Sequence, residues 1–171
     1  MKNSLTIKDL LDKKTRLLIY LISFTSLIFL QTFCVNICPF IDGLQHDKLF
    51  RNLFFIFLLH LAYREFLYNY FKNQRENLSL PRLAYFLSMA SWIMAGISAF
   101  ILHSILYPDF PISSHLKIFS SYLTLGAGIL AQIEYIIFEK RYKEISKDKV
   151  FTIFNEKISQ RILETFLIFT I

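Results

Sequence analysis

Four long apolar stretches alternate with short polar stretches along the chain. The apolar stretches cover residues 17–39, 53–71, 83–107 and 118–138. Each has about the length of the roughly 20 residues with which an α-helix crosses the hydrocarbon core of a bilayer. The polar stretches between them leave little room for another domain. This pattern predicts an all-α membrane protein with a bundle of four transmembrane helices.

The N-terminal arm, residues 1–16, is polar and basic and is expected to lie at the membrane surface. Thr6 and Asp9 have the spacing of a capping box, which satisfies free N–H groups at the start of a helix. Leu10 then begins an apolar face. A short amphipathic surface helix is therefore predicted in this arm.

A basic tail, residues 139–171, follows the membrane domain of residues 17–138. Apolar side chains recur every four residues from Val150 to Phe166, which predicts an amphipathic surface helix. From residue 162 onwards the chain is nearly all apolar, but this run of ten residues is too short to cross a bilayer. It could lie in the interface, pack on the bundle, or be the start of a fifth span in a longer ancestor.

The composition is too apolar for a soluble domain, since 54% of the residues are hydrophobic and the mean hydropathy is +0.44. The formal net charge of +6 could indicate a nucleic-acid partner. However, the basic residues form short clusters between apolar stretches, so we expect a lipid bilayer as partner and no nucleic acid. Alternate polar segments sum to 15 Lys and Arg on one side and 3 on the other. Both termini are therefore predicted to be cytoplasmic, in a plasma (inner) membrane.

Ionisable side chains lie within the second and fourth predicted spans. His60, Arg64 and Glu65 are in the second, Glu134 is in the fourth, and Gln31 is a polar residue of the first. Charges at such depth are costly and usually face the interior of a bundle. We expect Arg64 to pair with Glu134 across the spans or with Glu65 nearby. His60 and Gln31 are expected at the same level, in a proton relay, a polar binding site or a structural ion-pair network.

Small residues on the third and fourth spans predict a close helix contact. Ala95, Gly96 and Ala99 are on the third span, and Thr124 and Gly128 are on the fourth. Small side chains allow helix backbones to approach closely, and hydroxyl groups can bond across the contact. We expect these faces to pack together within the bundle, with a homo-oligomer seam as the alternative.

Two cysteines, Cys34 and Cys38, are predicted at the outer end of the first span. On an oxidising face they could form a disulfide with each other or with a second chain, although the geometry is demanding. Two free buried thiols are the ordinary alternative. The pair does not have the spacing of a CxxC redox or zinc motif.

Histidines and aspartates are predicted at the outer face, but no catalytic or metal motif includes them. They are His46, His103, His115, Asp42, Asp47 and Asp109. Their spacing matches no zinc signature, so we expect no metal site and no cofactor such as haem. The chain contains no GxSxG, HExxH, phosphate-loop or GxGxxG motif, so no catalytic residue is assigned.

These observations favour a non-enzymatic membrane protein that acts as a sensing, anchoring or interaction module. The basic tail would couple it to a partner membrane protein or to a second copy, and an effector is expected to be a separate protein. A small oligomeric transporter or proton-coupled carrier, which would use the intramembrane His, Arg and Glu residues, is the alternative. A third candidate is a lipid-modifying enzyme that acts through His103, Asp109 and His115.

Overall fold

The computed structural model describes residues 5–37, 46–72 and 80–146, and this part of the chain is helical without any β-strand. The predicted all-α class is confirmed for these residues. The helices are α1 (Ile7–Leu10), α2 (Lys13–Ile37), α3 (His46–Phe71), α4 (Leu80–Leu106) and α5 (Ile112–Ile145).

A π-helical segment lies in the middle of α5, from Tyr122 to Leu130. Its wider turn is seen where the Ala131 N–H bonds to the carbonyl of Gly126, five residues earlier. A Cβ atom on Gly126 would lie 2.6 Å from the indole ring of Trp92, so only glycine fits beside that ring. Single π turns within α-helices often mark functional sites.

Successive long helices run antiparallel. Asn52, near the start of α3, bonds to Tyr107 just after α4, whereas Arg64, further along α3, bonds to Ser88 near the start of α4. The helix α4 packs along both α3 and α5, and α2 packs mainly on α3. The result is an up-and-down bundle with α4 at its centre.

The apolar core consists of two clusters at different levels of the bundle. One cluster includes Leu53, Phe57 and Trp92. The other includes Tyr68 and Phe138, together with Ile7, Leu10 and Leu11 from the N-terminal arm. The arm therefore packs against the end of the bundle, in contact with α3, α4 and α5, and does not lie apart from it.

The predicted cap of α1 is present in part. The carboxylate of Asp9 accepts hydrogen bonds from the backbone N–H and the hydroxyl of Thr6, both at 2.8 Å. These bonds satisfy a donor that the first turn of the helix leaves free. They fix the turn that directs the apolar side of α1 into the core.

The outer surface of the bundle is strongly apolar. Each of the four long helices exposes large hydrophobic side chains, for example Leu17 (60%) on α2, Phe66 (64%) on α3, Ile105 (70%) on α4 and Ile136 (61%) on α5. Isolated apolar residues are normal on a soluble protein, but a contiguous apolar surface is typical of contact with lipid or another protein.

Among the described residues, two helices are long and apolar enough to cross a membrane, namely α4 and α5. The helix α3 has sufficient length, but His60, Arg64 and Glu65 lower its hydropathy. In α2, side chains beyond Phe29 are outside the described part. Two candidate spans are thus shown, and the predicted four remain a proposal.

Candidate functional site

One polar side chain from each long helix meets the others in the interior of the bundle. We name this group the four-helix polar cluster: Ser23 of α2, Arg64 of α3, Ser88 of α4 and Glu134 of α5. All of them are fully buried. The cluster lies where the sequence predicts intramembrane charges, and it connects helices that are far apart along the chain.

The guanidinium of Arg64 is the centre of the cluster. Its Nη2 atom lies 2.6 Å from Oε1 of Glu134, and its Nη1 atom donates to the Ser23 hydroxyl at 3.1 Å. Nη2 also lies 3.4 Å from the Ser88 hydroxyl, which donates to the second carboxylate oxygen of Glu134. Both charges are therefore compensated within the bundle.

Burial makes this ion pair sensitive to the loss of either partner. The exposed fraction of both side chains is 0%, so water contributes nothing to their solvation. Removing one member of such a pair leaves an uncompensated buried charge and typically costs about 3–5 kcal/mol. The pair is therefore well placed to fix the relative positions of α3 and α5.

The alternative pairing of Arg64 with Glu65 is not what the structure shows. Glu65 instead accepts a hydrogen bond from Arg16 of α2 at 2.9 Å and another from the hydroxyl of Tyr20. Adjacent residues on an α-helix point about 100° apart, since one turn contains 3.6 residues. Arg64 therefore faces the interior, while Glu65 faces α2 at the edge of the bundle.

His60 lies one helical turn from Arg64, on the same buried face of α3. Its ring stacks on the indole of Trp92, with 3.8 Å between the ring centroids. The same indole lies 6.0 Å from the guanidinium carbon of Arg64. Among the described residues, neither ring nitrogen of His60 has a well-aligned hydrogen-bond partner, although the backbone of Ser91 lies near the ring.

A second group of charges connects the N-terminal arm to the end of α5. Arg141 lies 2.8 Å from the carboxylate of Asp12, and it also pairs with Glu144 at 3.2 Å. Hydrogen bonds from Thr15 lower the pKa of Asp12, and the positive charge of Arg141 acts in the same direction. These contacts join α5 to the segment between α1 and α2.

Two histidines predicted at the outer face are in contact. The Nδ1 atoms of His103 and His115 lie 2.7 Å apart, and the rings of Tyr107 and Phe110 pack against His103. Within the described ranges, no group of three His, Cys, Asp or Glu residues could hold a metal ion. His46 lies at the first residue of α3, and its side chain, like Asp42 and Asp47, is outside the described part.

Most of the residues predicted for close helix packing are buried, and Gly96 lies at the contact between α4 and α5. Ala95, Gly96 and Ala99 are buried on α4, and a Cβ on Gly96 would lie 3.0 Å from Cβ of Tyr122. Gly128 is buried on α5. The exception is Thr124, whose side chain is exposed and donates to a carbonyl of its own helix.

The position of Thr124 corrects the predicted packing stripe, and the π segment is the physical reason. The stripe assumes 3.6 residues per turn, but the π turns are wider, so residues along α5 change their facing direction. Gly126, next to the predicted stripe, makes the closest approach to α4.

Three members of the site were not selected from the sequence, namely Ser23, Ser88 and Trp92. Serine is ordinary within a membrane helix, and a lone tryptophan is typical of a core or an interface, so none of these residues indicates a site alone. A signal is nevertheless present, because Ser88, Trp92, Ala95 and Ala99 recur at intervals of four, three and four residues. That spacing places them on one face of α4.

Three other predicted residues cannot be placed. The side chains of Gln31 and Cys34, and Cys38 as a whole, lie outside the described residues. The level expected for Gln31 and the expected disulfide therefore remain predictions.

Comparison with known proteins identifies the family. No curated protein and no solved structure is significantly similar to this chain. A protein-family model described as MASE10 matches residues 22–171, which include α3, α4, α5 and all but the beginning of α2. Because this match covers most of the chain, the protein belongs to the MASE10 family, whose name suggests a membrane-associated sensory domain.

Proposed function

We propose that this protein is a multi-pass sensing module of the cell membrane, in which α2, α3, α4 and α5 all cross the bilayer. The observation that carries the proposal is the inverted distribution of polarity. The four-helix polar cluster is fully buried, whereas large apolar side chains cover the outside of every long helix. This distribution suits a bundle surrounded by lipid, where charged groups face the interior and apolar groups face the acyl chains.

The four-helix polar cluster would connect a signal within the bilayer to the cytoplasmic end of the bundle. Its members come from four different helices, so a change in the Arg64–Glu134 contact would alter the positions of α3 and α5 together. At the other end of α5, Arg141 contacts Asp12 of the N-terminal arm. A sensing module needs a bistable element of this kind, which a ligand can bias between two arrangements.

The chain topology can be tested by cysteine labelling in intact cells. The native Cys34 and Cys38 are first replaced by serine, and single cysteines are then introduced at exposed positions. Those positions are Lys48 and Asp109 for the predicted outer side, and Lys72 and Lys140 for the predicted inner side. A membrane-impermeant maleimide should label the outer pair in intact cells and the inner pair only after lysis.

Each labelling result tests a different helix. If cysteines at positions 48 and 72 react from the same side, α3 does not cross the membrane and the four-span proposal fails. If cysteines at positions 109 and 140 react from the same side, α5 does not cross, which would contradict the membrane role of one of the two candidate spans. Equal expression of the cysteine-free background controls for misfolding.

We further propose that residues 147–171 couple the bundle to a partner membrane protein or to a second copy of the chain. The sequence of this tail predicts a basic amphipathic helix, and it continues directly from α5. Affinity recovery in mild detergent should yield a stoichiometric partner that is lost when residues 147–171 are deleted. Recovery of the same partner from the shortened chain would contradict this role for the tail.

A proton-coupled carrier is the second candidate, and the row of buried polar residues from His60 through Arg64 to Glu134 favours it. In that case the Glu134→Gln variant would abolish pH-dependent substrate binding while the protein still inserts. A sensing module predicts instead that this variant changes the helix arrangement or partner recovery. The Glu134→Gln variant therefore distinguishes the two candidates. It should change substrate binding in a carrier, and helix arrangement or partner recovery in a sensing module.

A further inference from the structure

A cavity beside His60 is the strongest candidate for a ligand site within the bundle. It is lined by residues of α2, α3, α4 and the π segment of α5, including Ser26, Phe57, His60, Trp92 and Tyr122. The enclosed space is about 30 Å³, and the space that includes its open side is about 390 Å³. The first volume holds about one water, and the second also counts open space outside the cavity. Only a small polar group therefore fits inside, and the rest of a ligand would lie along the open side.

The walls of this cavity contain hydrogen-bonding groups that no described residue satisfies. Within the described ranges, both ring nitrogens of His60 and the Nε1 atom of Trp92 are buried without a hydrogen-bond partner. A neutral imidazole has one N–H donor, and an indole has one as well. A buried donor without a partner costs about 1–3 kcal/mol, so a ligand that accepts these hydrogen bonds would recover this free energy.

Two of the hydroxyl groups around the cavity are already used as donors. Ser26 donates to the carbonyl of Ser23 at 2.6 Å, and Ser121 donates to the carbonyl of Lys117 at 2.9 Å. The ring nitrogens without a partner among the described residues are two N–H donors, one on His60 and one on Trp92, and one acceptor on His60. A molecule with an acceptor oxygen, such as a carbonyl group, complements them better than a molecule that offers only donors.

The electrostatics of the site exclude a charged ligand. The lining residues carry no net charge, and the nearest buried charges, Arg64 and Glu134, already compensate each other at 2.6 Å. A further charge would be buried without a partner, which is strongly unfavourable in an apolar interior. Aromatic rings of Phe57, Trp92 and Tyr122 instead offer an apolar surface.

We place the open side of the cavity between α2 and α5, because α2 packs little against the π segment of α5. Both helices contribute lining residues there, but α2 packs closely on α3 and approaches α5 mainly beyond the π segment. On the outside, α2 exposes apolar side chains such as Phe24 and Ile28. If the bundle is embedded as proposed, a ligand reaches the opening from the acyl chains of the bilayer.

From these observations we infer that the cavity between α2, His60, Trp92 and the π segment binds an uncharged, membrane-soluble molecule that carries a carbonyl acceptor. The inference rests on the proposed function, because the entrance must face lipid. The carbonyl oxygen would accept a hydrogen bond from the His60 N–H, and the apolar remainder would lie between α2 and α5. Ser23 lines the cavity and also accepts a hydrogen bond from Arg64, so binding would disturb that contact.

Trp92 provides a direct reporter, because it is the single tryptophan of the chain. The full-length protein is reconstituted in phosphatidylcholine nanodiscs and titrated with decylubiquinone, a membrane-soluble dicarbonyl that quenches indole fluorescence. Binding at the cavity should give saturable quenching and raise the thermal unfolding midpoint. Simple partition into the lipid should give quenching that rises linearly, without a change in the midpoint.

Three variants separate these outcomes. His60→Phe removes the donor and is expected to weaken the saturable phase about tenfold, in line with the loss of one hydrogen bond. Ser26→Phe fills the opening without changing His60, so it keeps the test valid if His60→Phe fails to fold. Ser98→Ala, which removes a hydroxyl bonded to Tyr63 outside the lining residues, is the matched control and should bind like the wild type.

Linear quenching in the wild type would overturn the inference, as would equal saturable quenching in His60→Phe and Ser26→Phe. These failures are distinct from a failure of the proposed function. If cysteine labelling supports four spans while quenching is linear, the sensing module stands and this ligand class is wrong. If labelling shows that α2 or α3 does not cross, the lipid-facing entrance and the four-span proposal fail together.

Discussion

Two arginine–glutamate pairs of nearly equal length occupy very different environments in this protein. Arg64 and Glu134 lie 2.6 Å apart with exposed fractions of 0% and 0%, while Arg16 and Glu65 lie 2.9 Å apart with exposed fractions of 32% and 33%. Coulomb attraction at the same distance is several times stronger in a medium of low dielectric constant than near water. The distance between the charged groups alone therefore does not show how much each pair contributes to stability.

The comparison is sharper because Arg64 and Glu65 are neighbours in the sequence. One residue of offset on α3 separates a buried network that joins four helices from an edge contact that joins two. The buried pair has no contact with solvent, whereas the edge pair is about one-third exposed beside Arg16 of the N-terminal arm, which lies outside the predicted spans. We therefore expect substitutions at the two pairs to differ mainly in their effect on stability.

The largest effect is expected from breaking the buried pair on one side. Arg64→Leu or Glu134→Leu should lower the free energy of unfolding by about 3–5 kcal/mol, because the remaining charge is buried alone. Denaturant unfolding in mixed micelles, followed by Trp92 fluorescence, measures this change. If the free energy of unfolding fell by less than about 1 kcal/mol in both variants, the interior would be hydrated enough to solvate a free charge.

A smaller effect is expected from disturbing the packing beside the buried pair. Gly126→Val would place a branched side chain where even a Cβ lies 2.6 Å from the Trp92 ring. Overpacking of this kind typically costs about 1–3 kcal/mol, and the Trp92 emission spectrum should shift as the ring moves. Gly96→Ala, with a nearest Cβ contact of 3.0 Å, is the milder control. Equal stability of Gly126→Val and the wild type would mean that the helices separate freely at this level.

A substitution in the edge pair, Arg16 and Glu65, should have almost no effect on the stability of the protein. Glu65→Gln keeps the size of the side chain and is expected to change the free energy of unfolding by less than about 1 kcal/mol, as for most partly exposed ion pairs. The same unfolding measurement applies, with added salt as a second check, since screening should reduce even this small effect. If Glu65→Gln lowered the free energy of unfolding as much as Glu134→Leu does, the two pairs would not differ in their contribution to stability.

The smallest effect concerns the attachment of α1 at low pH. The pKa of Asp12 lies below its ordinary value of 3.8, so its contribution to stability is present above that value and is lost as the pH falls through the lowered pKa. The protection of α1 amides against hydrogen exchange, corrected for the intrinsic pH dependence of exchange, should therefore fall only below about pH 4. Asp12→Asn should show the lower protection already at neutral pH and little further change in protection with pH. Equal exchange in Asp12→Asn and the wild type at neutral pH would argue against this role.

The central contact of the site could be anticipated because buried charges need partners. Arg64 and Glu134 are charged residues within apolar stretches, and depth along antiparallel helices brings them to similar levels. The helices themselves follow from long apolar runs. The sequence does not show which of several helices supplies the hydroxyl groups, so Ser88 could not be chosen among the serines of α4.

Positions on α5 were harder to predict, and Thr124 shows why. A period of 3.6 residues assigns it to the packing face, but the π segment from Tyr122 to Leu130 changes the register. Within that segment, Gly126 packs against Trp92 of another helix, which is a tertiary contact. Local pattern alone therefore predicts the existence of α5 but not the direction in which its middle residues face.

A double-mutant cycle on Arg64 and Glu134 tests the central claim most directly. The cycle compares the unfolding free energies of Arg64→Leu, Glu134→Leu and the double variant in nanodiscs with that of the wild type. If the pair is buried and mutually compensated, the double variant should recover most of the stability that either single variant loses. If the losses of the two single variants simply add, the two charges do not compensate each other, and the four-helix polar cluster does not hold the bundle together.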